Sequence, residues 1–278
     1  DLSEEALEQR SRALTLMGEM AFARGDLDGA LRRYREAMAG TTEAVRRAPR
    51  DPQNLFYHAQ NVFWVGYVDY QRGDLGKAAV AFGEYRGLAA RMIALAPDNS
   101  DYRLERIYAD TNLGTVLMDQ RKYRAAAEAY QASLGPIELL VSKAPRNRDY
   151  RTQLIDTLAW LADAREYSGQ LDEAIAHRQR QIGLLTTQWQ VDKGNTTIKH
   201  IELVARRAMA RLLAARGDLA GAVSQSRQAS ELVEWLTRAE PQNTEWQQAG
   251  AQANFDRAGL GLASNNIAAA TTATGSPM

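Results

Sequence analysis

Apolar residues recur along this chain at helical spacing. Leu154, Ile155, Leu158, Leu161 and Ala162 fall at i, i+1, i+4, i+7 and i+8. Leu219, Ala222, Val223, Ala229, Leu232, Val233 and Leu236 draw the same kind of stripe further on, where an alternating pattern would have meant strand. Each such segment has one face that only a neighbouring helix can cover. The pattern also repeats: Leu27, Leu75, Tyr123, Leu171, Leu219 and Ile267 stand 48 residues apart. Gly25, Gly73, Gly169 and Gly217 precede that slot, and Ala30, Ala78, Ala126, Ala174, Ala222 and Ala270 follow it. A second marker, Ala48-Pro49, Ala96-Pro97, Ala144-Pro145 and Glu240-Pro241, is followed by Asn99, Asn147, Asn195 and Asn243.

Proline ends a helix and biases its predecessor away from helical geometry, so each Pro pair closes one helix. Ser100-Asp101, Thr196-Thr197 and Thr244-Glu245 then supply a hydroxyl cap or a first-turn acid for the next. Midway, the glycine suits a left-handed C-terminal residue, and Asp26, Asp74 or Asp218 caps the second helix of the pair. The spacing predicts A helices over 3–23, 53–71, 101–119, 149–167, 197–215 and 245–263, and B helices over 26–47, 74–95, 122–143, 170–190 and 218–239. Gly18, Gly66, Gly114, Ala162, Ala210 and Ala258 align in mid-A-helix, where glycine costs about 1 kcal/mol relative to alanine. Close approach of helix B, with the aligned alanine opposite, is the expected compensation. Arg121 replaces the turn glycine in the third unit, which predicts strain or a different cap. Pro136 is expected to kink its helix, and the aligned Gly87, Gly135 and Gly183 point to a close contact or bend.

The spacing of Gly66, Gly73, Leu75, Ala78 and Phe82 resembles the tetratricopeptide repeat (TPR), whose usual unit is about 34 residues. Here each unit is longer by roughly four helical turns. Long units with Ala-Pro-x-Asn at the joint are similar to repeat regions of large bacterial signalling proteins, where they flank kinase, Toll/interleukin-receptor-like or STAND ATPase modules. The resemblance covers about residues 3–263. It implies an all-α, right-handed α-solenoid of antiparallel helix pairs, a TPR-like superhelix. The expected organisation is a single array over 1–270, in units of about 3–48, 49–96, 97–144, 145–192 and 193–240, with a capping helix at 241–264 and a flexible tail at 271–278.

Composition narrows the chemistry. Lys plus Arg and Asp plus Glu both number 34 in 278 residues, so no global field favours nucleic acid or an anionic membrane. The longest apolar run, Val62 to Val68, is far below the roughly 18 residues a bilayer span needs. The start, Asp1-Leu2-Ser3-Glu4-Glu5, is unlike a signal peptide and reads as an excised part of something longer. A soluble, cytoplasmic protein is expected. Cysteine is absent, which removes disulfides and thiolate chemistry. His58, His177 and His200 lie in different repeats without a nucleophile or metal spacing. Gly73-Asp74-Leu75-Gly76-Lys77 lacks phosphate-loop spacing and follows a helix where that loop follows a strand. No catalytic residue, metal or cofactor is expected, and the chain reads as a non-enzyme.

What remains is surface. Carried over from the TPR family, the groove positions select Phe56, Gln60, Phe63, Tyr67 and Tyr70 in the second unit, and Tyr108, Thr111, Thr115 and Met118 in the third. They select Asp156, Ala159, Asp163 and Tyr167 in the fourth unit, and His200, Val204, Arg207 and Arg211 in the fifth. Six aromatics crowd residues 53–71; Trp64 and Trp160 either fill gaps between helices or, like Tyr67 and Tyr70, anchor a partner. Arg207 and Arg211, four apart, resemble half of a carboxylate clamp, but Ala159 and Asp163 stand where its other half needs basic or amide residues. The favoured reading of these arginines is therefore a solvated basic face, paired with acids on a neighbouring helix. The expectation is a non-catalytic scaffold region of a larger bacterial signalling or regulatory protein that binds a protein or peptide partner, without nucleic acid or membrane. A structural or self-association arm for an adjacent effector domain is the alternative.

Overall fold

A computed structural model of the chain describes residues 3–253 and 259. The helices are α1 (Glu4–Ala23), α2 (Leu27–Arg47), α3 (Pro52–Gln71), α4 (Leu75–Leu95), α5 (Ser100–Asp119), α6 (Tyr123–Lys143), α7 (Arg148–Tyr167), α8 (Leu171–Val191), α9 (Thr196–Arg216) and α10 (Leu219–Ala239). An eleventh helix, α11, is described over 244–253. Among the described residues there is no strand. The end of the expected capping helix and the expected tail at 271–278 lie outside the described residues. The chain forms two compact units, Asp1–Thr157 and Leu158–Met278, with the boundary inside α7.

The turns show why the chain reverses where it does. Gly25, Gly73, Gly169 and Gly217 have φ of 77°, 80°, 79° and 92°, the left-handed conformation that lets the next N–H reach back over the helix end. Asp26 N–H donates to Ala21 O at 3.0 Å, Asp74 N–H to Asp69 O at 2.8 Å, and Asp218 N–H to Leu213 O at 2.8 Å. Arg121 adopts φ 58° and keeps the same bond, Lys122 N–H to Leu117 O at 2.8 Å. Strain, about 1–2 kcal/mol for a side-chain-bearing residue, is therefore the outcome at this turn.

Caps differ from expectation at the A helices. The side chains of Asp51, Asn99, Asn147, Asn195 and Asn243 accept the first-turn N–H bonds, while Ser100, Thr196 and Thr244 are already helical. At the B helices Asp26 and Asp218 cap Gly29 and Gly221 at 2.8 and 2.9 Å, but Asp74 instead accepts from Lys77 Nζ at 3.0 Å.

Mid-A-helix glycines do mark close approach, but to a ring. A Cβ on Gly18 would lie 2.7 Å from the Tyr34 ring, one on Gly114 2.5 Å from Tyr130, and one on Gly66 2.9 Å from Ala81 Cβ and 3.2 Å from Phe82. The aligned Ala30, Ala78 and Ala126, expected opposite, are fully buried, but the atoms nearest the glycines belong to Tyr34, Tyr130, Phe82 and Ala81. A Cβ on Gly87, Gly135 or Gly183 would meet nothing within 4 Å, so these positions are not close contacts. The helix runs through Pro136 to Lys143.

In the first unit the main core joins Leu55, Ala59, Val62, Phe82, Tyr85, Leu88 and Met92 to Tyr102, Ala109 and Val116. In the second unit Leu203, Ala229, Leu236 and Trp246 cluster with Leu232, Val233 and Trp235. Trp246 is held there by donating its indole N–H to Glu240 at 2.9 Å.

Candidate functional site

A cleft of about 560 Å³ opens in the first unit between α1 and α3, with Gly40, Thr41 and Ala44 of α2 among the residues lining it. Its walls combine apolar surface from Leu7, Leu16 and Ala44 with the hydroxyls and amides of Ser11, Thr15, Thr41 and Asn61. Thr15 Oγ1 donates to Asn61 Oδ1 at 2.8 Å, and buried Asn61 donates through Nδ2 to Tyr57 O at 3.1 Å. Thr41 Oγ1 lies 3.1 Å from His58 Nδ1, whose other nitrogen is 3.5 Å from Glu84 Oε1. Burial pushes the His58 pKa down while Glu84 opposes it. Arg12 crosses the opening: it bonds the Tyr57 hydroxyl, lies 5.0 Å from that ring's centre and pairs with Glu8 at 2.7 Å.

Of the groove positions carried over from the TPR pattern, Gln60 lines this cleft and donates to Glu105 Oε2 at 2.7 Å. Glu105 is buried and also accepts from Tyr85; burial raises its pKa more than these two donors lower it. Phe56, Phe63 and Tyr67 are half-buried against the main core of the unit. Phe63 stacks with Tyr67 at 5.8 Å and 15°. Tyr70 donates to Asp119 Oδ2 at 2.8 Å, a bond that raises the tyrosine pKa. Tyr108 stays 40% exposed. Asp156 is half-buried, and burial raises its pKa. Trp64 stacks on buried Tyr34 at 5.4 Å and 7°, which is core packing, whereas Trp160 sits at the surface.

The second unit holds the others. Tyr167 is 62% exposed. Asp163 pairs with buried Arg178, which also donates to Gln181 Oε1 at 2.7 Å. Burial lowers the Arg178 pKa and raises that of Asp163, each opposed by the other's charge. His200 packs on Trp246 with ring centres 4.9 Å apart. Arg207 and Arg211 border a cavity of about 450 Å³ that Ser226 and Ala229 also line. Arg211 is bound through two nitrogens to Glu166 at 2.8 and 2.9 Å. The basic face of α9 is largely matched: buried Glu202 binds Lys199 at 2.9 Å and Arg206 at 2.7 Å, and Arg216 binds Asp172 at 3.0 Å.

The cleft's own residues, Ser11, Gly40, Thr41 and Asn61, were not among the positions the family pattern selects. The signal was available in the 48-residue columns: Ser11 aligns with Ala59, Ile107, Ile155 and Leu203, and Gly40 with Leu88, Pro136, Leu184 and Leu232. Among the described residues no group of three or more histidines and acids is placed to hold a metal ion, and no helix is long and apolar enough to cross a membrane.

Solved structures share this architecture at low identity. The apo form of RapI matches with a TM-score of 0.57 at 14% identity, over 81% of this chain and 70% of its own. Nearly identical TPR-like repeats ascribed to a Podosopora anserina kinesin light chain match with a TM-score of 0.57 at 14% identity, over 83% and 95%. A MamA structure matches with a TM-score of 0.52 at 15% identity, over 84% and 97%. No protein-family model matches the chain, and no curated protein matches it in sequence. The fold is an all-α solenoid of antiparallel helix pairs. It is TPR-like.

Proposed function

We propose that the chain is a non-catalytic, protein- or peptide-binding scaffold region of a larger bacterial signalling or regulatory protein, working in the cytoplasm. The cleft between α1 and α3 carries this reading: it is an open, preformed recess of about 560 Å³ whose apolar surface is interrupted by amides and hydroxyls, a lining that buries a bound segment and fixes it by hydrogen bonds. Gln60 and the exposed Tyr108 extend the candidate surface along α3 and α5. Peptide selection from a displayed random library on the purified chain tests it. Selected peptides should bind saturably and lose affinity at least about tenfold, roughly 1.4 kcal/mol, in the Tyr108→Ala/Gln53→Ala variant, with the melting midpoint nearly unchanged. Recovery of no saturable peptide, or equal binding by the variant, would sink the reading.

A second reading is a structural or self-association arm. Exposed Leu16, Met17 and Met20 on α1 favour it, since contiguous apolar surface of this kind is a common interface. Solution mass at two concentrations decides: a monomer at both counts against association.

A further inference from the structure

The first helix pair departs from its own repeat. At the slots where the other pairs place Ala59 with Leu88, Ile107 with Pro136, Ile155 with Leu184 and Leu203 with Leu232, it has Ser11 with Gly40. The next slot, Ala89, Ile137, Leu185 and Val233 elsewhere, is Thr41. Aliphatic side chains that close the helix layers in later pairs are thus missing here, and the cleft occupies that place. Losing such burial weakens a fold, so a cleft at this slot needs a use.

Two further observations define the guest. Ser11 is 5% exposed and borders the cleft, and its Oγ lies where a side chain at Gly40 would begin, 2.4 Å from the position of an added Cβ. Glu5, Glu8 and Asp51 line the same cleft against one cation, Arg12, which pairs with Glu8 and Tyr57; Asp51 and Glu5 meet only neutral donors, the Gln53 N–H and the Gln9 amide, among the described residues. A recess with a hydroxyl at its base and an excess of carboxylates around it suits a hydrogen-bonding cation on an apolar stem.

We infer that this cleft receives a basic side chain, arginine above all, from a partner polypeptide. The inference rests on the peptide-binding reading and specifies its chemistry. Arg12 at the opening shows how a guanidinium is held there, against the Tyr57 ring with a carboxylate beside it.

The test is a titration followed by amide NMR signals with three probes: N-acetyl-arginine amide, N-acetyl-leucine amide and N-acetyl-glutamate amide. The arginine probe should shift Ser11, Gly40, Thr41 and Asn61 saturably, and the other two should not. Ser11→Ala/Gly40→Leu, which rebuilds the Ala59 and Leu88 pairing, should abolish the response while raising the melting midpoint by roughly 2–4 °C. Gly40→Ala places a methyl 2.4 Å from Ser11 Oγ, which turns the hydroxyl out of its place, and should weaken the arginine probe about tenfold, which keeps the test valid if the filled variant packs poorly. Equal responses to all three probes, or a filled variant that still binds arginine, would overturn the assignment. Selected peptides that lack basic residues and bind the filled variant unchanged would overturn it too, and would leave the scaffold reading standing.

Discussion

In α1 to α6 an aromatic ring, Tyr34, Phe82 or Tyr130, sits against helix backbone left bare by Gly18, Gly66 or Gly114. In the second unit the matching slots hold Arg178 and Ser226, and the glycines have become Ala162 and Ala210. The two halves of each slot change together. A buried ring contributes about 1.5–3 kcal/mol, more than the roughly 1 kcal/mol that a mid-helix glycine costs, so glycine is worth keeping only where a ring uses the space. Arg178 offers no such gain. It is buried with Asp163 and Gln181 for company and leaves Nε without a partner, and burying an ion pair costs several kcal/mol before the pairing offsets it.

The largest expected effect is at the ring. Phe82→Ala should cost about 3–5 kcal/mol in urea unfolding, because the ring is 1% exposed and fills the space facing Gly66. A loss below about 1 kcal/mol would show that the contact collapses freely and that the glycine has another reason. Next comes a transplant. Arg178→Tyr should destabilise by about 1–3 kcal/mol, since the Ala162 methyl occupies the space a ring needs, and adding Ala162→Gly should recover most of that loss. If the double variant is no better than the single one, ring and glycine are not a coupled pair.

The smallest effect is confined to pH and contrasts two buried glutamates. Glu202 is flanked by two cations, whereas among the described residues Glu105 accepts from the neutral donors Tyr85 and Gln60. With its folded pKa above the unfolded value, Glu105 binds its proton more tightly in the native state. Its contribution is therefore fully present below the ordinary glutamate range and is lost as pH rises through its raised folded pKa. Glu105→Gln should flatten that part of the urea midpoint against pH, and an unchanged slope would remove Glu105 as the cause.

Helix boundaries were legible to within about one or two residues because glycine turns and proline joints are local signals that recur in register. Asn99 and Asn147 were visible in the repeat but not their role, since amide and hydroxyl caps compete for one position. The facing ring is hidden in the sequence because the aligned alanine is the more regular of the two columns, and both columns fall on the buried face of helix B. Charge pairing was hidden for a different reason. Arg211 with Glu166, Gln60 with Glu105 and Arg12 with Tyr57 are each 45 residues apart, and Tyr70 with Asp119 is 49 apart. Such pairs join successive A helices, and a repeat of 48 fixes which helices meet without fixing which long side chains do. The cleft escaped notice because it consists of missing atoms, readable only by comparing one column across all repeats.

Helices of the first unit pack mainly on their neighbours in sequence, α1 on α2, α2 on α3, α3 on α4, α4 on α5 and α5 on α6, and this sets how the unit assembles. No contact waits on the meeting of distant ends, so the loop-closure entropy paid at each step is small and structure can start at any pair and spread outward. The polar, thinly filled first pair is the one that such spreading should reach last and lose first, which makes opening at α1 the easiest local excursion of the unit.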